Sequence, residues 1–70
     1  MTLKKRSFSL SGHRTSVALE DEFWVIIDNE TKRAGLSLAA YVSGIDRSRG
    51  DRPLASALRL AALEAAKHRH

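Results

Sequence analysis

The feature that most constrains this chain is a change of hydrophobic period with nothing between the two patterns. Arg14-Thr15-Ser16-Val17-Ala18-Leu19 alternates polar and apolar residues with period two, which is the signal of a half-buried strand. Immediately afterwards the apolar residues fall at helical spacing. Phe23, Ile26, Ile27 and Ala34 share one stripe of a helix over residues 20–34, with Glu30 at its edge. No turn residue separates strand from helix, so the strand must lead straight into it. A strand exposes a row of backbone donors and acceptors, and these need partners.

The rest of the chain is organised around this junction. Upstream, Ser7-Phe8-Ser9-Leu10-Ser11 also alternates, and Ser11-Gly12-His13 lies between the two alternating runs. Two readings fit: a hairpin, or one bent strand with a bulge. Residues 1–7 are polar and basic and read as an arm. Downstream, Asp21 and Glu22 face the positive end of the first helix and Lys32 and Arg33 its negative end. Its start is poorly capped, because Leu19-Glu20 supplies no Ser, Thr or Asn. Gly35 is expected just past its end, in the left-handed conformation. Ser37 then caps a second helix with Leu38, Tyr41, Val42 and Ile45 as its apolar stripe. Gly44 interrupts that helix, a flaw of roughly 1 kcal/mol against Ala that would let another backbone come close. Pro53 suits the first turn of a third helix. There Leu54, Leu58, Ala61 and Ala65 form one line, while Leu60 and Leu63 fall off it. A helix apolar on more than one side predicts a second contact surface.

Size and charge narrow the function classes. A chain of 70 residues is one small domain, and such domains usually need a staple, a metal or a partner subunit. Cysteine is absent, which excludes disulfides and thiolate metal sites and leaves oligomerisation as the expected support. The formal net charge is +4, and its distribution says more than its size. Residues 1–19 hold Lys4, Lys5, Arg6 and Arg14 and no acid, whereas residues 20–36 hold five acids against Lys32 and Arg33. A basic segment of this kind points to a polyanion partner, although a solvated tail has the same composition. No run approaches the ~20 apolar residues of a membrane span, and no apolar stretch follows the basic residues as in a signal peptide. A soluble, cytoplasmic protein without membrane contact is expected.

The order strand, helix, glycine turn, helix resembles the ribbon-helix-helix family of the Arc and MetJ type. Arg14-Thr15-Ser16-Val17-Ala18-Leu19-Glu20-Asp21-Glu22-Phe23 resembles its strand and first-helix start, and Arg33-Ala34-Gly35-Leu36-Ser37 its inter-helix turn. Gly12-His13-Arg14-Thr15-Ser16-Val17 and Ser56-Ala57-Leu58-Arg59 resemble a small bacterial subfamily with an added third helix. The resemblance implies a mostly α fold: an intertwined two-fold dimer with an intermolecular antiparallel ribbon and an extra C-terminal helix. It divides the chain into a basic arm, 1–13, with or without a short extra strand; a ribbon-helix-helix core, 14–49; and a third helix with a basic tail, 50–70.

Alternation assigns the strand faces. Thr15, Val17 and Leu19 point toward the helices, and Arg14, Ser16 and Ala18 point away. The resemblance makes these outward residues the base contacts of a ribbon in the major groove. The planar fork of Arg14 matches guanine O6 and N7. Ser16 donates or accepts, and Ala18 offers a methyl contact to thymine where the family often carries a longer polar residue. The start of the second helix, with Ser37 and the N–H groups of Leu38 and Ala39, is where the family clamps a phosphate. Lys4, Lys5 and Arg6 would add phosphate contacts.

Other residues have plainer readings. His68 and His70 sit in a basic tail, and His13 beside Gly12 is a turn residue. Trp24 and Tyr41 lie among apolar residues as core or interface. The Asp21–Glu22 pair matches the helix dipole. No nucleophile, base and orienting group can be assembled, so neither an enzyme, a cofactor nor a metal site is expected. The leading expectation is a sequence-specific regulator or repressor that binds double-stranded DNA. The alternative is a protein-interaction module, such as an antitoxin whose third helix binds a partner protein. That helix could instead join dimers into a tetramer.

Overall fold

The computed structural model describes residues 2–68. A two-stranded antiparallel hairpin, β1 (Leu3–Leu10) and β2 (His13–Glu20), is followed by three helices: α1 (Asp21–Ala34), α2 (Leu38–Ser48) and α3 (Leu54–Lys67). The hairpin resolves the choice between a bent strand and a fold-back. The register pairs Leu3 with Glu20 and Leu10 with His13, so β2 is matched along its whole length by its own chain. The turn is Ser11-Gly12, with φ of 51° and 81°. Two positive φ values in a two-residue loop are those of a type I′ turn, whose twist suits a hairpin. Residues 3–10 thus form the extra strand that the sequence left open, longer than the alternation over 7–11 indicated, and it pairs with β2 of the same chain.

β2 passes into α1 at Glu20, whose backbone is extended and whose side chain makes no cap. That agrees with the poor capping of Leu19-Glu20. At the other end Gly35 is left-handed at φ 70°, and its N–H reaches back to the Lys32 and Thr31 carbonyls. Ser37 caps α2 by accepting from the Ala40 N–H at 3.0 Å. Pro53 stands at the cap of α3, one residue before its first turn.

The core lies between the hairpin and the helices. Phe8 and Leu10 of β1 and Val17 and Leu19 of β2 meet Trp24 and Ile27 of α1, Val42 of α2, and Leu58 and Ala62 of α3. Trp24, Leu19, Ile27, Val42 and Leu58 are completely buried. The buried stripe of α1 is rotated from the expected one. It runs through Trp24, Ile27, Glu30 and Thr31, while Phe23 and Ile26 are only half-buried and Ala34 is exposed. The hairpin causes the rotation. The Trp24 ring lies 6.2 Å from that of Phe8, and its Nε1 donates to the Lys4 carbonyl at 2.8 Å. β1 thus supplies both the apolar cover and the acceptor that a buried indole requires. Glu30 carries a cost: Oε1 pairs with Arg33, but the buried Oε2 has no partner among the described residues. Burial raises the Tyr41 hydroxyl pKa, and the Glu30 charge raises it further.

α2 buries Val42, with Leu38, Tyr41 and Ile45 packed at the core edge. A Cβ on Gly44 would meet nothing within 4 Å among the described residues, so none of them makes the close approach expected there. α3 buries Ala57, Leu58 and Ala62 and leaves Leu60 and Leu63 about half exposed. No helix among the described residues is long and apolar enough to cross a membrane.

Candidate nucleic-acid interface

Strand parity divides the hairpin into two chemically different faces. The inner register pairs Lys4 with Leu19, Arg6 with Val17 and Phe8 with Thr15. The outer register pairs Lys5 with Ala18, Ser7 with Ser16 and Ser9 with Arg14. Lys5, Ser7, Ser9, Arg14 and Ser16 are exposed and Ala18 is half-exposed. The outer face is therefore made of small and hydroxylic residues, with one long cation near each end and on opposite strands. Over four residues of strand the two cations are separated by roughly 14 Å.

The inner cations are occupied. Arg6 makes two hydrogen bonds to the Asp28 carboxylate, at 2.8 and 3.1 Å, and its guanidinium lies 4.6 Å from the centre of the Trp24 ring. The hydrogen bonds from Arg6 hold the Asp28 pKa below the usual carboxylate value and raise that of Arg6. Arg6 thus ties β1 to α1, with its side chain about a third exposed. Lys4 shares the inner register and lies 3.9 Å from Asp21 with both side chains mostly exposed; such a surface pair contributes little.

The outer face is kept free of negative charge. No acid occurs between residues 3 and 19. Glu20, where the strand turns into α1, gives its carboxylate to Arg59 of α3 at 2.9 Å. That hydrogen bond is the main reason its pKa is lowered. Arg59 also lies over the Phe23 ring, 5.8 Å from its centre. At mid-hairpin the Ser7 and Ser16 hydroxyls bond to each other at 2.9 Å. One of the two protons and several lone pairs remain to face outward.

The structure thus gathers Arg14, Ser16, Ala18 and Lys5 on one surface, separates Lys4 and Arg6 from them, and adds Ser7 and Ser9. Extending the alternation of Ser7 and Ser9 back to Lys5 would have found these additions. Ser37, Leu38 and Ala39 lie at the start of α2, with the Ser37 hydroxyl spent on the Ala40 N–H. His13 lines an open cleft of about 260 Å³ beneath the hairpin tip, with Asp46, Arg49 and Leu54 on its other side. His68 contacts Glu64 at 2.9 Å, and His70 lies outside the described residues. No cluster of three metal-ligating side chains occurs among the described residues.

No curated protein and no solved structure matches the chain. A family model described as a ribbon-helix-helix domain matches residues 3–66, from the first strand almost to the end of α3. The match includes the hairpin and the third helix as well as the strand, α1 and α2 between them. The chain therefore belongs to the ribbon-helix-helix family, whose domains are in general dimeric, DNA-binding transcription regulators or antitoxins.

Proposed function

We propose that this protein is a sequence-specific regulator, acting as a repressor in the bacterial cytoplasm, that places the outer face of a two-stranded ribbon in the major groove of double-stranded DNA. The observation that carries the reading is the contrast in charge. The inner cations are paired with Asp28 and Asp21, whereas Lys5 and Arg14 stand on an exposed face whose acid, Glu20 at the end of β2, is paired with Arg59. A two-stranded ribbon fits a groove about 12 Å wide. Arg14 contacts guanine, Ser16 adds a less selective hydrogen bond, and Ala18 meets a thymine methyl. The free N–H groups of Leu38 and Ala39 at the Ser37 cap receive a phosphate. Two copies act together as a two-fold homodimer. A family of dimeric domains and a small core in one chain support this. The proposal includes no catalytic role.

The test is a titration of labelled duplex at several salt concentrations. Binding should weaken steeply with salt, because each neutralised phosphate releases counterions. Absence of duplex binding at low salt would end this reading.

One observation favours a second reading. Leu60 and Leu63, 44% and 50% exposed, lie on the side of α3 away from the core. That face suits a protein partner, as in an antitoxin, or a second dimer in a tetramer. Replacing both leucines by Gln should abolish such an association and leave duplex binding intact.

A further inference from the structure

We infer that Arg59 of α3 is a positioning residue for the DNA-binding face: it draws the Glu20 carboxylate away from that face and so lets α3 set how strongly the face holds a duplex. The inference rests on the DNA-binding reading above and adds a residue outside the strands to it. By strand parity Glu20 belongs to the outer face, in line with Arg14, Ser16 and Ala18. It is the one acid in residues 3–20. Its cross-strand partner is Leu3, 51% exposed, whose side chain offers a carboxylate no donor.

A free carboxylate at this place would act twice against DNA. Glu20 lies two residues past Ala18, about 7 Å along the strand, and would repel phosphates beside the base contacts. Lys5 pairs with Ala18, which makes Lys5 and Glu20 diagonal neighbours about 7–8 Å apart. A lysine side chain spans that distance, so an unheld Glu20 would also draw on a cation that the face presents.

Arg59 prevents both. Its Nε donates to the Glu20 carboxylate at 2.9 Å, across 39 positions of sequence. Its guanidinium lies over the Phe23 ring, 5.8 Å from the centre, and Phe23 stands about one helical turn past Glu20. The ring fixes the direction of the guanidinium fork. The helix that carries it is fixed in turn, because Ala57, Leu58 and Ala62 of α3 are buried. The side chains of Arg59 and Glu20 remain 33% and 23% exposed. A pair so close to solvent contributes little to stability, so its loss reads on binding more than on folding.

Two substitutions break the same ion pair and should act differently on duplex binding. Arg59→Gln frees Glu20, and affinity should fall about fivefold at low salt, with the deficit shrinking as salt rises. Glu20→Gln removes the acid, and affinity should equal or exceed the parent's. The Arg59→Gln/Glu20→Gln protein should regain the parent's affinity. Lys67→Gln, eight residues further along α3 and about 12 Å away, makes the same change in net charge and should cost less than about twofold. Melting curves of these variants by circular dichroism should lie close to the parent's. Weakened binding by Glu20→Gln would overturn the inference, because the pair would then serve structure alone. A double variant as weak as Arg59→Gln would also overturn it, because Arg59 would then be a phosphate contact itself. If Arg59→Gln does not fold, Glu20→Gln decides alone: affinity kept without the pair supports the inference, and affinity lost refutes it. A parent that binds no duplex ends the DNA reading and this inference together. A parent that binds, with Arg59→Gln folded and equal to it, overturns this inference only.

Discussion

The two faces of one hairpin put the same side chains to opposite uses. Arg6 and Arg14 are both strand arginines on the basic N-terminal segment. Arg6 faces inward, where its guanidinium closes the hairpin onto α1 through Asp28 and Trp24. Arg14 faces outward beside Ser9 and Ser16, and the acid at the far end of that face, Glu20, is paired with Arg59. The difference is one of parity alone. Net charge in a segment therefore says little about which cations meet a polyanion; the register does.

Substitutions can break this contrast, and the largest effect should come from the inner face. Val17 is 5% exposed, so Val17→Asp buries an unpaired carboxylate. That costs several kcal/mol, comparable to the whole stability of a small domain. Circular dichroism should show an unfolded chain, and a folded Val17→Asp protein would mean the faces are reversed. On the outer face, Arg14→Ala should leave the melting temperature nearly unchanged and remove about 1–3 kcal/mol of discrimination between bases.

Arg6→Gln should do the converse at smaller scale. It removes a half-exposed ion pair and a cation–π contact, together worth about 1 kcal/mol of stability, and should leave base preference intact. Thermal melts with duplex selection on the same variant separate the two effects. The smallest effect is in pH. Hydrogen bonding from Arg6 depresses the Asp28 pKa, so the pair contributes stability above the unfolded carboxylate value, near 4. That contribution is lost as pH falls through the lower folded value. The difference in melting temperature between parent and Asp28→Asn should be constant at neutral pH and shrink below about pH 4. With both side chains at least a third exposed, screening holds it under about 1 kcal/mol.

Much of the fold was legible because local rules and tertiary packing agree. Ser37 is a cap, Gly35 a left-handed stop, and Thr15, Val17 and Leu19 form the inward face. The reading failed where residues serve through distant partners. Lys4-Lys5-Arg6 has the composition of a loose arm; pairing with Leu19, Ala18 and Val17 makes it a strand, and the contacts of Arg6 with Asp28 and Trp24, 22 and 18 positions along the chain, tie it to α1. Trp24 was recognisable as core. The rotation of α1 around it was not, because that depends on the Lys4 carbonyl and the Phe8 ring lying opposite. The candidate site was legible on β2 and hidden on β1 for the same reason.

The most direct test of the central claim is selection of bound duplexes from random DNA by the parent and by Arg14→Ala, at one fixed salt concentration. The account predicts that the parent enriches a defined sequence containing a guanine whose preference Arg14→Ala relaxes, while Arg6→Gln enriches the parent's sequence. Enrichment of the same sequence by the parent and Arg14→Ala, or of no sequence by the parent, would contradict it.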